Sequence, residues 1–110
     1  MIKMLIELNN ELIENDGYSI EMMWSEIDSV FDNIDCTKNI IDNNTVMYES
    51  NPNKHSNIGD LYTVYSGITR IPYFLIYATK WAVFENIDDA SLPLSETDAL
   101  SIAKKYKKIK

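Results

Sequence analysis

Residues 20–34 read IEMMWSEIDSVFDNI, the stretch with the clearest helical periodicity in this 110-residue chain. Its apolar side chains recur every three or four positions and fall within about 120° of a helical wheel: Ile20, Met23, Trp24, Ile27, Val30, Phe31 and Ile34. A second arc, about 60° wide, carries only acids: Glu21, Asp28, Asp32 and Asp35. Ser19 suits the N-cap. The pattern predicts an amphipathic helix over 20–34 that turns its apolar stripe to the core.

The residues before this segment also fit a helix, over 2–15. Six apolar side chains fill one broad arc of the wheel, and Glu7, Glu11 and Glu14 lie on the opposite side. Asn9 stands inside the apolar arc, where its amide needs a hydrogen-bond partner or a contact with another molecule. Gly17 suits the left-handed position that ends a helix. Two helices joined by so short a link predict an antiparallel helix hairpin at the N-terminus.

The rest of the chain predicts strands and a last helix. Residues rich in β-branched and aromatic side chains predict strands at 45–49, 61–65, 68–71, 73–78 and 81–86, with turns at 42–44, 66–67 and 79–80 and a polar loop at 50–57. For 73–87 a helix beginning at Pro72 is the alternative, because proline fits the first helical position. Residues 95–98 resemble a capping box. The helix after it has one apolar stripe: Ala99, Ile102, Ala103, Tyr106 and Ile109.

We therefore expect an α+β fold with an N-terminal antiparallel helix hairpin, a 3–5-stranded antiparallel sheet and a C-terminal helix. Length and composition predict a single domain over residues 1–110: the mass is 12.7 kDa, 45% of the residues are hydrophobic, and one cysteine cannot form an internal disulfide. The longest weakly charged stretch, 71–84, is too short to span a bilayer as a helix, and Glu7 comes too early for a signal-peptide core. We expect a soluble, cytoplasmic protein.

Few side chains in this sequence could support catalysis or metal binding. Cys36 and His55 are the only cysteine and the only histidine, and they form a conceivable nucleophile pair. The sequence has neither a Cys/His framework for zinc nor the glycine-containing pattern of an EF-hand loop, and its three glycines are too far apart for a phosphate-binding loop. We therefore predict no cofactor, no metal and no enzymatic activity; a small enzyme that uses His55 and carboxylates is the alternative.

The charges are distributed unevenly along the chain. Between residues 4 and 37 there are nine acids and no lysine or arginine, so residues 1–50 carry a net charge of −9 and residues 51–110 a net charge of +2. Like-charge pairs four residues apart, Glu7 with Glu11 and Asp28 with Asp32, destabilise a helix slightly, and a basic partner would explain them. The lysines of 104–110 either complement the dipole of the last helix or fold back over the acids.

Tyrosine is the second feature that points to a partner. The tyrosine ring and hydroxyl both contribute at protein interfaces. The chain has more aromatic side chains with polar tips than so small a core can easily bury: Tyr48, Tyr62, Tyr65, Tyr73, Tyr77 and Trp81. The predicted partner-binding residues therefore combine the acids with two tyrosines: Glu11, Glu14, Glu21, Asp28, Asp32, Asp35, Tyr62 and Tyr65.

A small, acidic chain with one cysteine and no catalytic constellation resembles the immunity proteins of bacterial toxin systems, of the bacteriocin and contact-dependent growth inhibition types. The resemblance covers the whole chain in size and charge and involves no motif, so no functional residue is carried over. It implies an immunity protein that binds and neutralises a cognate basic toxin domain, a nuclease in the commonest case, without contacting nucleic acid or membrane. The chain also resembles phage or mobile-element inhibitors that imitate nucleic acid with rows of carboxylates.

Overall fold

The structure, a computed structural model, describes residues 2–32, 34, 36–51, 58–86 and 91–109, with the side chains of 58, 60 and 107–109 excepted. The elements follow one another as β1 (Ile2–Leu8), α1 (Asn10–Asn15), α2 (Ile20–Val30), β2 (Cys36–Asp42), β3 (Thr45–Ser50), α3 (Ile58–Thr69), α4 (Phe74–Tyr77), β4 (Ala78–Glu85), β5 (Ser95–Asp98) and α5 (Ala99–Ile109). The five strands form one antiparallel sheet in the order β2-β3-β1-β4-β5. The predicted α+β class with an antiparallel sheet is confirmed.

The core lies on one face of the sheet. Side chains alternate along β1, so that Ile2, Met4, Ile6 and Leu8 are buried while the residues between them are half-buried on the other face. The buried set forms one apolar cluster with side chains from all five helices. Trp81 of β4, opposite Ile6, is completely buried in it. The protein therefore has two layers, with the helices covering one face of the sheet.

The helix predicted over 2–15 is wrong in its first half, which is strand β1. The segment satisfies two periods at once: its apolar residues fit a helical arc, and they also alternate with Lys3 and Glu7. Because β1 pairs with β3 on one side and with β4 on the other, every second residue of β1 faces the core and is buried. Only Asn10–Asn15 is helical, and the Asn9 side chain caps it by accepting a hydrogen bond from the backbone N–H of Leu12, 3.0 Å away.

The start of α2 is as predicted, and the turn before it is confirmed. The Ser19 hydroxyl oxygen accepts a hydrogen bond from the backbone N–H of Met22 at 3.2 Å, and Gly17 has a φ of +83°, the left-handed conformation. The helix ends at Val30, four residues before the predicted end. Because β1 replaces the first long helix, the helical hairpin is reduced to the short α1 packed beside α2.

The strands predicted at 61–65 and 68–71 are wrong, because α3 (Ile58–Thr69) runs through the first, through the predicted turn at 66–67 and through the first two residues of the second, and the remaining two form a turn. Its buried residues Val64 and Ile68 are four positions apart, a helical spacing that the β-branched composition obscures. The hairpin predicted over 73–86 is also wrong, because Phe74–Tyr77 is a short helix and β4 (Ala78–Glu85) continues through Thr79 and Lys80, the predicted turn. The second strand of that hairpin, predicted at 81–86, is confirmed within β4, and the alternative helix over 73–87 is present only as the single turn of α4.

The C-terminal helix and the turn at 43–44 are confirmed, with details that differ. Strand β2 was not predicted, although it pairs with β3 across that turn. Residues 95–98, predicted as a capping box, form the edge strand β5, and Asp98 at its end accepts a hydrogen bond from the backbone N–H of Ser101 at 3.1 Å. The bond that the Ser101 hydroxyl donates to Asp98, 2.7 Å long, lowers the pKa of this carboxyl. Most of the loop predicted at 50–57 lies outside the described residues.

Candidate functional site

The two N-terminal helices and the turns beside them carry seven acids: Glu11, Glu14, Asp16, Glu21, Glu26, Asp28 and Asp32. Six of these side chains are exposed, and Asp28 is half-buried. In the part of the chain that the structure describes, only Asp28 of the seven has a cation within ion-pair distance. We name the six exposed acids the acidic surface. Glu7 was predicted to form a like-charge pair with Glu11 on one helix. It lies instead on the sheet, where the Thr79 hydroxyl donates a hydrogen bond to it at 2.6 Å.

Asp28 is engaged inside the protein. One of its carboxylate oxygens lies 2.8 Å from the Lys38 ammonium of β2, and the other accepts a hydrogen bond from the Tyr48 hydroxyl of β3. The Tyr48 ring stacks on Phe31 with centroids 4.0 Å apart. Burial, and then the bond to Asp28, raises the pKa of Tyr48 well above its ordinary value. Asp28 therefore fastens α2 to the sheet.

The structure separates the predicted tyrosines from the predicted acids. Asp28 lies on the flank of α2 that faces β2, whereas Val30, on the opposite flank, meets Gly67 of α3. Tyr62 and Tyr65 belong to α3, beyond that second flank. Glu11 and Glu14 are on α1, and Glu21 is in the first turn of α2. Asp35 lies outside the described residues. The predicted residues thus form two separate groups, one acidic and one aromatic.

A tyrosine cluster outside the predicted partner-binding residues lies beside the acidic surface. The ring centroid of Tyr18, after α1, is 5.0 Å from that of Tyr73 and 6.0 Å from that of Tyr77, both near α4. The Tyr77 hydroxyl donates a hydrogen bond to Asp16 at 2.7 Å, and burial together with this bond raises the pKa of Tyr77 to about 12. A hydrogen bond to Tyr73 raises the pKa of Tyr18.

Two rings of this tyrosine cluster are open to solvent. Tyr18 is 44% exposed and Tyr73 47% exposed. Tyr73 also has a φ of +70°, a conformation that costs about 1 kcal/mol or more for a residue other than glycine. Its ring centroid lies 5.0 Å from that of Tyr18 and 6.5 Å from that of Tyr77. The sequence places Tyr73 and Tyr77 in the large set of polar-tipped aromatics, and Tyr18 after Gly17 and Tyr73 after Pro72 stand at turn positions, where side chains commonly face outward.

Tyr62 and Tyr65 line a groove between α3 and α5. The groove has a volume of about 730 Å³ and also contains Arg70, Leu75, Ile102 and Tyr106. Tyr65 is half-buried and stacks on Trp81, whereas Tyr62 is 63% exposed. We name this feature the α3–α5 groove.

The residues considered for catalysis are not brought into a described site. Cys36 is half-buried beside a small apolar cavity of about 20 Å³, and His55 lies outside the described residues. Within the described ranges, no three His, Cys, Asp or Glu side chains are grouped closely enough to hold a metal ion. None of the helices in those ranges combines the length and apolar character needed to cross a bilayer.

The chain matches no model of a known protein family, and no curated protein or solved structure matches it at a significant level. Its function is therefore argued from its own residues and their arrangement.

Proposed function

We propose that this protein is an immunity protein that binds and neutralises a basic toxin domain, with a nuclease as the expected class, in the bacterial cytoplasm. One observation carries the proposal: six exposed carboxylates on and beside α1 and α2 have no cation within ion-pair distance among the described residues. Solvated helix faces ordinarily mix both signs of charge. A face with one sign only favours a partner of the opposite sign.

The physical advantage of such a face is a fast encounter with the partner. Complementary fields raise association rates above the 10⁵–10⁶ M⁻¹s⁻¹ of uncharged surfaces, towards about 10⁸ M⁻¹s⁻¹ at low salt. A protein that must capture a toxin before it acts needs this speed. A standard interface would cover about 800 Å² of the total surface of 6893 Å², an area that α1, α2 and the adjacent turn can supply.

The tyrosine cluster gives this face apolar contact area. The exposed rings of Tyr18 and Tyr73 lie beside each other and beside Tyr77, whose hydroxyl donates a hydrogen bond to Asp16. Lysine and arginine side chains of a partner can lie on an aromatic face and pair with a neighbouring carboxylate. We therefore place the aromatic anchors of the interface at Tyr18 and Tyr73 in preference to Tyr62 and Tyr65.

The experiment is co-expression with the product of the neighbouring upstream gene, followed by purification of the complex and growth assays. Glu21→Lys should slow association at least about fivefold at low salt and weaken the salt dependence, because it reverses one charge of the face. Glu96→Lys is the matched control: it makes the same change in net charge on β5, an exposed strand outside the acidic surface. We expect Glu96→Lys to change the association rate by less than about twofold.

Two outcomes would contradict the proposal. If no complex forms and growth is not rescued, the chain does not neutralise that protein. If Glu21→Lys and Glu96→Lys slow association equally, only the net charge matters and the acidic surface is not the interface. Tyr18→Ala should increase the dissociation rate while the salt dependence stays unchanged, because the ring contributes contact area and no charge.

A further inference from the structure

The α3–α5 groove is a concave, largely apolar surface among the described residues that the proposed function leaves unused. Three of the large hydrophobic side chains that line it are exposed: Tyr62 by 63%, Ile102 by 38% and Tyr106 by 66%. The inner wall of the groove is anchored to the core, since the Tyr65 ring stacks on the fully buried Trp81 with centroids 5.0 Å apart. Clustered exposed hydrophobic side chains in a concave site are typical of ligand binding.

Arg70 adds a positive charge to this groove. It is the only arginine in a chain with 17 acids. Its side chain is exposed, and none of the carboxylate side chains that the structure describes lies within ion-pair distance of it. Arginine presents a planar fork of donors that matches a carboxylate or phosphate group. The groove therefore offers aromatic surfaces together with one anion-binding side chain.

We propose that the α3–α5 groove binds a small organic anion with a flat apolar body. Arg70 pairs with the anionic group, and the body lies against the rings of Tyr62, Tyr65 and Tyr106. The volume of about 730 Å³ is within the range of about 300–1,000 Å³ for small-molecule sites.

This site differs from the proposed interface in charge preference and in the residues that form it, and only Tyr62 and Arg70 also lie beside Ser29 and Val30 of α2. The interface would use α1 and α2 and attract cations, whereas the groove lies between α3 and α5 and attracts an anion. Binding of a small anion can therefore be tested without any toxin, and its failure leaves the immunity proposal unaffected.

The test is a titration of the whole protein with 2-naphthoate, a flat aromatic carboxylate, followed by two-dimensional ¹H–¹⁵N NMR. 2-Naphthylmethanol, which has the same ring system without charge, is the second probe. We expect saturable shifts at the amides of α3, α5 and Leu75 and a Kd for naphthoate on the order of 1 mM, as is usual for a ligand of this size. The alcohol should bind at least about fivefold more weakly.

Variants separate the contributions of charge and surface. Arg70→Gln should weaken the binding of naphthoate at least about tenfold, because it removes a charge-assisted hydrogen bond that only the acid makes. The affinity for the alcohol should change by less than about twofold. Arg70→Lys, which keeps the charge but loses the fork, should have an intermediate effect. Tyr106→Ala should weaken both probes. Lys80→Gln is the control. Lys80 lies opposite Glu7 in the register of β4 and β1, on the sheet face away from the helices, so the binding of neither probe should change.

Three results would overturn the inference. The first is no saturable shift at 10 mM naphthoate, or shifts scattered over the surface. The second is equal binding of the acid and the alcohol, which would remove the anion from the proposal. The third is an equal loss of naphthoate binding in Arg70→Gln and Lys80→Gln, which would show that net charge alone governs binding.

Discussion

Replacing Gly67 with alanine tests the packing of α3 on α2, the contact that distinguishes this fold most sharply from the strands predicted for residues 61–71. A Cβ atom at position 67 would lie 2.7 Å from Cγ1 of Val30 and 3.3 Å from its Cγ2. Favourable carbon–carbon contacts are at about 3.5–4.0 Å. Valine in a helix is held largely in one rotamer, so its methyl groups have little room to move aside.

The expected free energies follow from two opposing effects. Alanine in a helix interior is more favourable than glycine by about 0.5–1 kcal/mol. Overpacking at a tight contact costs about 1–3 kcal/mol. We therefore expect Gly67→Ala to destabilise the protein by about 1 kcal/mol. In the Val30→Ala background the obstructing methyl groups are gone, and the same substitution should stabilise by about 0.5–1 kcal/mol. The coupling between the two positions should be about 1–3 kcal/mol.

Urea unfolding of the four proteins of this cycle, followed by circular dichroism, measures the coupling, with equal m-values as the check that the unfolded states are comparable. Gly59→Ala is the control, since Gly59 is exposed near the start of α3 and its effect should not depend on Val30. If Gly67→Ala stabilises both backgrounds equally, α2 and α3 do not approach closely. If it destabilises both equally, Gly67 lies in a turn, and the strands predicted from the sequence were right.

Trp81→Ala should lower the free energy of unfolding by about 3–5 kcal/mol because Trp81 is fully buried. Trp24→Ala, at a half-buried position, should lower it by only about 1–2 kcal/mol. Equal losses of stability in urea unfolding would contradict this difference in burial. Stability should also decline with pH above about 10. In the folded protein the pKa of Tyr48 is raised and that of Tyr77 is raised to about 12, so the unfolded chain loses these protons first. Unfolding curves at pH 9 and pH 11 measure the effect, which Tyr77→Phe should reduce; identical curves would refute it.

Some features of the fold could be predicted because neighbours in the chain cause them. The periodicity of α2, its cap at Ser19 and the left-handed Gly17 depend on residues within one or two turns of each other. The turn at 43–44 is equally local, since the Asp42 carboxylate accepts a hydrogen bond from the backbone N–H of Asn44 at 2.8 Å.

The failed predictions share one physical cause. Residues 2–8 fit both a helical and an alternating pattern, and only the positions of β3 and β4 on either side decide for the strand. In α3 the β-branched and aromatic side chains favour a strand, yet burial of Val64 and Ile68 against the sheet outweighs that preference. In each case the free energy comes from packing against residues distant in the sequence.

The same division holds for the candidate sites. The sequence by itself determined the acidic surface, because the missing lysines and arginines of residues 4–37 leave those carboxylates without partners nearby in the chain. Only the tertiary structure decided which carboxylate is engaged inside the protein, by bringing Lys38 and Tyr48 to Asp28. It likewise joined Tyr77 to Asp16, 61 residues apart. Charge is a property of composition, but contact depends on how the helices pack on the sheet.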